Sequence, residues 1–293
     1  HVAGTIMAAG VSANAKGMSY QASLRAFDWN SDVSEMTTEA AGGLKASNHS
    51  YGYLTGWRSN YFGDGLWAWF GDVSISTTED SRFGYYDVTA QDWDNLAYNA
   101  PNYLICKAAG NDRGEGPSGA VNSWYWDGSS WVTAVVTRDK DGGATGYDCI
   151  EGSGNSKNVL TVGAVNDIAA GYSQPSDVVM SSFSGWGPCD DGRIKPDISA
   201  NGILLYSALE TSDNAYGSMS GTSMATPSVT GSLGLLMHHL ALNCGGGTRT
   251  AATWKGLIIH TADEAGANDG PDYIFGWGLM NTKNAAQIGR AHV

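Results

Sequence analysis

The sequence predicts an α/β fold built on a mostly parallel β-sheet. Short apolar runs alternate along the chain with longer stretches whose apolar residues recur every three or four positions. The short runs indicate buried strands, and the longer stretches indicate helices. Strands separated by helices are typical of a parallel sheet with helices packed on its faces.

The first quarter of the chain contains two predicted helices and two predicted strands. Residues 1–9 are small and apolar enough for a buried helix. Residues 22–27 alternate between polar and apolar and predict a strand. A helix follows at 33–45, with Ser34 as its cap and a glycine pair weakening its end. Residues 46–49 then predict a second strand.

The middle of the chain is dominated by aromatic and glycine-rich segments. Residues 51–90 predict a long surface excursion over a cleft, and residues 112–156 predict loops. Between them we expect a short helix at 92–99 and an apolar strand at 103–108 that ends in Ala-Ala-Gly-Asn.

The last part of the chain contributes further strands and one long helix. Strands are predicted at 159–165 and 203–206. A buried helix is predicted from Met224 to about His239, with Pro227 in its first turn, where a missing N–H costs nothing. Because the sequence has no internal repeat, linker or low-complexity tract, we expect residues 1–293 to form a single domain.

Composition excludes several classes of partner. The formal net charge is −13, from 29 acidic and 16 basic residues. That balance argues against nucleic acid and against an anionic membrane surface as partners. No apolar run approaches the roughly 20 residues that a membrane-spanning helix needs.

The four cysteines have no metal-binding spacing. Cys106 lies in an apolar run and predicts a buried, inert thiol. Cys149 and Cys189 lie in polar, glycine-rich loops, where a free thiol would be exposed. A disulfide between them and two free thiols are equally compatible with the sequence. The disulfide would suit an oxidising compartment, and we predict a secreted protein.

Ser223 is the candidate nucleophile. Small residues crowd the segment before it, from Gly217 to Gly221, so the backbone can turn sharply there. The predicted helix follows at once, which puts Ser223 at a helix N-terminus, where free N–H groups and the helix dipole favour a developing negative charge. A serine that caps a helix without any catalytic role is the alternative.

Residues 221–227 read Gly-Thr-Ser-Met-Ala-Thr-Pro. This run resembles the nucleophile motif of the subtilisin-like serine proteases, the subtilase family (peptidase S8), and several other segments resemble motifs of that family in the same order. The other matching segments are residues 1–6 (the end of the histidine motif), 48–52 (the specificity-pocket segment), 108–111 (the oxyanion segment) and 195–198 (the segment that precedes the nucleophile strand). The resemblance runs from His1 to about Ala286, and it implies a doubly wound three-layer α/β sandwich.

The resemblance also implies a function and a set of site residues. It implies a serine endopeptidase that cleaves proteins or peptides through an acyl-enzyme on Ser223. Asn111 would donate to the oxyanion, together with the backbone N–H of Ser223; an asparagine after a glycine is otherwise typical of a turn. The implied substrate-binding residues are Ser50, Tyr51, Gly52, Ala108, Ala109 and Gly110.

One departure from the family's pattern concerns the general base. His1 matches the second histidine of the family's motif, whereas the catalytic one is the first, and no aspartate here is followed by Ser-Gly or Thr-Gly. We therefore expect the first strands, the catalytic aspartate and the catalytic histidine to lie upstream of His1, in the same or a separate chain. The other histidines are expected to be structural; they are His49, His238, His239, His260 and His292.

Two questions stay open at this level. The chain could instead be a catalytically inactive fragment or a peptide-binding module that holds extended peptides at residues 50–52.

The chemistry requires no cofactor, but subtilases often hold structural calcium after the histidine motif. Residues 9–14 offer few side-chain oxygens for it, and residues 139–143 lack the glutamate-terminated calcium pattern, so we expect a solvated turn there and leave metal ligands unknown.

Overall fold

A four-stranded parallel sheet forms the centre of the computed structural model, which describes residues 1–244 and 247–291. The helices are α1 (Val2–Met7), α2 (Asp32–Ala41), α3 (Val88–Asn99), α4 (Thr222–Asn243), α5 (Ala251–His260) and α6 (Thr282–Ala291). The strands are β1 (Ala46–His49), β2 (Trp57–Ser59), β3 (Trp67–Trp69), β4 (Leu104–Ala108), β5 (Val121–Trp126), β6 (Trp131–Val136), β7 (Leu160–Val165), β8 (Ile198–Asn201), β9 (Leu205–Ala208) and β10 (Tyr216–Met219).

The central sheet has the strand order β1-β4-β7-β8, with every pair parallel. Its two middle strands, β4 and β7, are buried along their whole length. Helices cover both faces, so successive residues of one strand pack into different layers. In β4, Leu104 and Cys106 contact the core beneath α4 and α5, whereas Ile105 packs with Met36 and Trp93 of α2 and α3. The predicted three-layer α/β fold is confirmed.

A second four-stranded sheet, β2-β3-β5-β6, is built from the segments predicted as excursion and loops. The hairpin of β5 and β6 lies within residues 112–156, so the prediction that this region is mainly loops is wrong in part. Aromatic side chains cover one another across this sheet: the ring of Trp131 lies 5.2 Å from that of Phe62 and 5.1 Å from that of Phe70, in edge-on geometry. These aromatic pairs compensate for the short strands.

Several element predictions need correction. Residues 22–27 are not a strand: they run as coil with Leu24 and Phe27 exposed, because no described strand pairs with them. Helix α1 is only half-buried. The strand predicted at 203–206 is β9, which pairs antiparallel with β10, while β8 completes the central sheet.

The boundaries of α2 and α3 differ from the predictions. Ser31, not Ser34, occupies the position before α2, and the helix ends at Ala41 before Gly42. Helix α3 starts four residues earlier than predicted because the side chain of Asp87 accepts the Ala90 N–H at 2.7 Å.

All four cysteines are free and buried. The disulfide considered for Cys149 and Cys189 is absent, and neither thiol is exposed. The sulfur of Cys149 accepts the Trp186 N–H at 3.2 Å, and the thiol of Cys189 donates to Asn155 Oδ1 at 3.3 Å. Packing of their loops against residues 155 and 186 buries both sulfurs.

Residues 139–143 lead into a turn and are solvated only in part, with Asp139, Lys140 and Gly143 exposed. Asp141 is buried, and its carboxylate accepts the Trp57 N–H at 2.9 Å, which ties the turn to β2. Burial raises the pKa of Asp141 to about 8. No group of three or more His, Cys, Asp or Glu side chains within the described residues is arranged to hold a metal ion.

The segment at 195–198 locks α5 to the central sheet through buried charges. Lys195 Nζ lies 2.7 Å from Asp197 Oδ2, and Lys255 Nζ of α5 lies 2.8 Å from Asp197 Oδ1. Buried charges of this kind persist because each has its partner. None of the helices in the described part of the chain is long and apolar enough to cross a membrane.

Candidate active site

Ser223 is the second residue of α4, in the first turn of that 22-residue helix. Gly221 precedes the helix with φ +153°, a backbone conformation that favours glycine, and so turns the chain from β10 into α4. The Ser223 side chain is half-buried, and its backbone N–H belongs to the turn that has no acceptor within the helix. The predicted placement of Ser223 at a helix N-terminus agrees with this geometry.

Pro227 lies farther along the helix than the sequence suggests. It is the sixth residue of α4, not part of the first turn, so it withholds the N–H that would bond to the Ser223 carbonyl. Ser50 fills that vacancy: its Oγ donates to Ser223 O at 3.1 Å, and Ser223 Oγ donates to Ser50 O at 3.3 Å. Pro227 therefore makes room for a contact between α4 and the segment after β1.

Asn111 is held by the residue immediately before Ser223. Its Oδ1 accepts both the backbone N–H of Thr222, at 2.8 Å, and the Thr222 hydroxyl, at 2.9 Å. Because a backbone N–H can only donate, these contacts fix which side of the amide is the oxygen. The Nδ2 group makes no hydrogen bond within the described chain and belongs to an exposed side chain. The amide therefore presents two free donors beside Ser223.

The candidate substrate segments follow two neighbouring strands of the central sheet. Since β1 and β4 are neighbours in register, residues 50–52 and 108–110 continue side by side from the same end of the sheet. Ala108 and Ala109 are buried, and Gly110 takes φ +100° as the chain turns toward Asn111. The sheet thus brings both candidate substrate segments to the same edge.

Tyr51 belongs to the opposite face of the β1 segment. Its hydroxyl donates to Asp32 Oδ2 at 3.0 Å and lies 2.8 Å from His49 Nδ1, while His49 Nε2 lies 2.7 Å from Ser47 Oγ. Asn48 and Ser50, in contrast, contact Thr230 and Ser223 of α4. The side chain of Tyr51 is therefore directed away from Ser223.

None of the histidine rings described hydrogen-bonds to Ser223 Oγ. His1 Nε2 lies 2.8 Å from Leu205 O, and His49 is engaged by Tyr51 and Ser47. Burial, assisted by the nearby Lys107 charge, lowers the pKa of His49 to about 3. His239 contacts Asn243 at the far end of α4, and His292 lies outside the described residues.

A model of the subtilase family, peptidase S8, matches residues 1–278. The chain belongs to the subtilase family. The C5a peptidase of Streptococcus pyogenes serotype M3 is 42% identical over 82 residues, which are 28% of this subtilase and 7% of that protein. Serine protease AprX of Bacillus subtilis is 32% identical over 148 residues, which are 46% of this chain and 31% of that protein.

Solved structures support the fold over nearly the whole chain. The prenylagaramide maturation protease PagA superposes with a TM-score of 0.61 at 20% identity, covering 98% of this chain and 80% of that one. The patellamide maturation protease PatA gives 0.61 at 20% identity, covering 99% and 83%. The chain spans only 7% of the length of the C5a peptidase and 31% of that of AprX.

The sequence analysis missed two contributors to this subtilase site. Thr222 orients Asn111, and Ser50 caps the Ser223 carbonyl that Pro227 leaves free. A hydroxyl residue before a candidate nucleophile and a proline four residues after it were visible in the sequence. Neither pattern predicts which residue Thr222 or the Ser223 carbonyl contacts, because residues 50 and 111 come close to α4 only in the folded chain.

We predict that His49 makes the stability of this subtilase depend on pH. The pKa of His49 is about 3 when folded and 6.5 when unfolded, so the unfolded state binds the proton first as the pH falls. The contribution of His49 to the free energy of unfolding is therefore complete above pH 6.5 and is lost progressively as the pH falls toward 3. Urea midpoints between pH 8 and 4 should fall less in His49→Gln than in the native protein.

The matched control is His260→Gln, at an exposed position at the end of α5. It should reproduce the native pH dependence of the urea midpoint. An identical slope in His49→Gln and in the native protein would contradict the assignment.

Proposed function

We propose that this subtilase is a serine endopeptidase that hydrolyses peptide bonds through an acyl-enzyme on Ser223. The proposal is carried by two hydrogen bonds that fix the Asn111 side chain. Asn111 Oδ1 accepts the Thr222 backbone N–H at 2.8 Å and the Thr222 hydroxyl at 2.9 Å. A capping serine needs no such arrangement. A nucleophile that generates an oxyanion needs a donor fixed in advance beside it.

The chemistry follows from these positions. Ser223 Oγ attacks the substrate carbonyl carbon while a base takes its proton, and the carbonyl oxygen becomes an oxyanion. Asn111 Nδ2 and the Ser223 backbone N–H donate to that oxyanion, and the positive end of the α4 dipole adds to its stabilisation. Collapse of the tetrahedral species expels the amine, which takes the proton from the base, and leaves the acyl group on Ser223. Water gives a proton to the same base and attacks the acyl carbon, and the bond to Ser223 Oγ breaks as that oxygen regains its proton.

We propose that the base and its orienting carboxylate come from residues outside these 293. Ser223 Oγ donates to Ser50 O at 3.3 Å, and none of the described histidine rings hydrogen-bonds to Ser223 Oγ. An additional segment has a place to bind: β1 ends the central sheet, and no described strand pairs with its outer side. A largely apolar cavity of about 400 Å³ lies beside β1, lined by residues that include Ala46, His49, Met36 and Phe27.

A peptide-binding module without catalysis is the second candidate function. The segment at 50–52 could pair with an extended peptide by strand addition in either case. Strand addition alone gives no reason for Thr222 to fix the Asn111 amide beside Ser223, which is why we favour the enzyme.

Partners and location complete the proposal. The substrate is a protein or peptide, and the charge of −13 disfavours nucleic acid and anionic membranes. We retain secretion as part of the proposal, although the disulfide that would have supported it is absent. The chemistry itself requires no cofactor.

We predict that a fluorophosphonate probe labels Ser223 in the complete protein. The helix N-terminus and Asn111 stabilise the negative charge that forms when the serine attacks phosphorus. Peptide mapping by mass spectrometry should find the adduct on Ser223, with Ser220→Ala labelled as the native protein is. An adduct on another residue, or none, would remove the proposed nucleophile.

We predict that Asn111→Ala lowers kcat by roughly 10²–10³, with little change in KM, because the lost hydrogen bond strengthens only in the transition state; this range was established on subtilisin itself. Steady-state hydrolysis of a quenched fluorescent peptide measures both constants. Asn122→Ala, on β5, removes an amide far from Ser223 in the chain and should leave both unchanged. A rise in KM at constant kcat would make Asn111 a binding residue instead.

We predict that residues 1–293 alone acylate far more slowly than the complete protein, because Ser223 lacks a base to take its proton. The comparison is the rate of fluorophosphonate labelling for the chain alone and for the chain co-expressed with the segment upstream of His1 in its gene. Equal rates would show that a base is present among these residues and would overturn the proposal of an outside segment.

A further inference from the structure

Two charged residues follow Asn111 in the chain and tie it to two different parts of the fold. Asp112 is buried, with 8% of its surface exposed, and its Oδ1 lies 2.9 Å from Arg58 Nη2 of β2. The next residue, Arg113, donates from its Nε to the Ser184 carbonyl at 2.8 Å. The backbone that carries Asn111 is therefore held by the second sheet as well as by the segment around Ser184.

Arg58 is anchored within the second sheet before it meets Asp112. It lies opposite Ala68 in the antiparallel pair of β2 and β3, and Ala68 is fully buried. The Nη1 group of Arg58 donates to the Trp57 carbonyl at 2.6 Å and lies 3.5 Å from Glu115 Oε2. The guanidinium is therefore fixed by its own sheet as well as by the loop after Asn111.

The Asp112 carboxylate lies in acidic surroundings. Burial raises the pKa of Asp112, and the charges of Arg58 and Lys107 act in the opposite direction. Lys107 has an acidic partner of its own, since its Nζ lies 3.8 Å from Glu151 Oε1. The other titratable groups whose charges interact with that of Asp112 are acidic; they are Asp80, Glu115, Asp141, Cys149 and Glu151. Without Arg58, Asp112 would be a buried anion among acidic groups.

A charge on Asp112 affects the reaction because of where Asp112 lies in the chain. It directly follows Asn111, so the two Cα atoms are about 3.8 Å apart, and its charge acts on an oxyanion bound by the Asn111 amide. At an effective dielectric constant of about 20, two like charges roughly 8 Å apart repel strongly enough to slow a step by about tenfold or more. The Arg58 guanidinium, 2.9 Å from the carboxylate, offsets this repulsion.

We propose that Arg58 is a positioning residue of the oxyanion site and that it acts through Asp112. Its guanidinium holds the Asp112 carboxylate toward β2 and offsets the negative charge, so that the oxyanion forms beside a neutral ion pair and not beside an anion. The inference rests on the proposed peptidase function. It adds a residue of the second sheet to the groups on which the stability of the transition state depends.

The test compares the complete native protein with Arg58→Gln in the hydrolysis of one quenched fluorescent peptide. At about pH 8 we expect kcat to fall about tenfold and KM to change by less than about twofold, because the repulsion acts only as the oxyanion forms. Arg58→Lys keeps the positive charge and should retain most of the native kcat. An unchanged kcat in Arg58→Gln, or an equal fall in Arg58→Lys, would overturn the proposal.

The pH dependence of kcat separates this effect of charge from a loosened fold. In Arg58→Gln the pKa of Asp112 should rise, because burial still disfavours the anion and the guanidinium that opposed it is gone. Asp112 is then neutral at low pH and charged at high pH. The ratio of the variant's kcat to the native kcat should therefore fall as the pH rises from about 6 to about 9. A ratio that is constant over this range would reject the proposal in favour of a structural role.

The double variant Arg58→Gln/Asp112→Asn removes both charges of the pair. Its kcat should return to within about threefold of the native value at every pH, since no anion is left beside the oxyanion. It also decides the question if Arg58→Gln fails to fold, because neither charge of the buried pair is left without its partner. A kcat about tenfold below the native value in the double variant would contradict the proposal.

Arg193→Gln is the matched control. Arg193 pairs with Asp191 at 2.8 Å, and its side chain is 25% exposed, against 21% for Arg58. Its kcat should follow the native value at every pH.

Failure of this inference is distinguishable from failure of the peptidase function. Cleavage by the native protein, with Ser223 labelled by the fluorophosphonate and with equal kcat in Arg58→Gln, would reject the role of Arg58 and keep the peptidase. No cleavage and no labelling of Ser223 in the native protein would reject both.

Discussion

Burial of α4 against the parallel sheet is the constraint on which the candidate site depends. Val229, Leu233 and Leu236 of this helix share a core with Leu160 and Val162 of the central strand β7. That packing fixes the height and rotation of the helix, and therefore the position of its first turn above the carboxyl end of the sheet. The packing of α4 therefore places Thr222 and Ser223 beside residues 111 and 50.

Hydrogen bonds to main-chain groups then refine what packing has set. Thr222 orients Asn111, and Ser50 caps the carbonyl of Ser223 that Pro227 leaves free. Asn48 hydrogen-bonds both to Ser50 and to Thr230, which lies about two helical turns after Ser223 in α4. Each bond links an element that packs independently into the core. A site built in this way is rigid because its supports are rigid, which suits a donor that has to be fixed before the reaction begins.

Burial gives the charged groups around the sheet different roles. His49 is kept neutral by its surroundings and packs with Tyr51 and Trp93, so it belongs to the framework of β1. Asp197 is equally buried but is met by two lysines, and it joins α5 to the sheet. Glu151 is buried beside Lys107, whose Nζ lies 3.8 Å from its Oε1, and burial raises the pKa of Glu151.

The sequence by itself predicted the α/β architecture and named Ser223 and Asn111 as candidate site residues, since both predictions depend on local pattern. Apolar runs specify β4 and β7, and an uninterrupted motif specifies the turn into α4. Only the tertiary structure decided the rest. The second sheet, the burial of Cys149, Cys189 and Asp141, and the position of Glu151 behind Gly52 all join residues far apart in the chain. The environments of these residues arise from packing between elements that are distant in sequence. A local pattern of residues therefore cannot predict how deeply each of these side chains is buried.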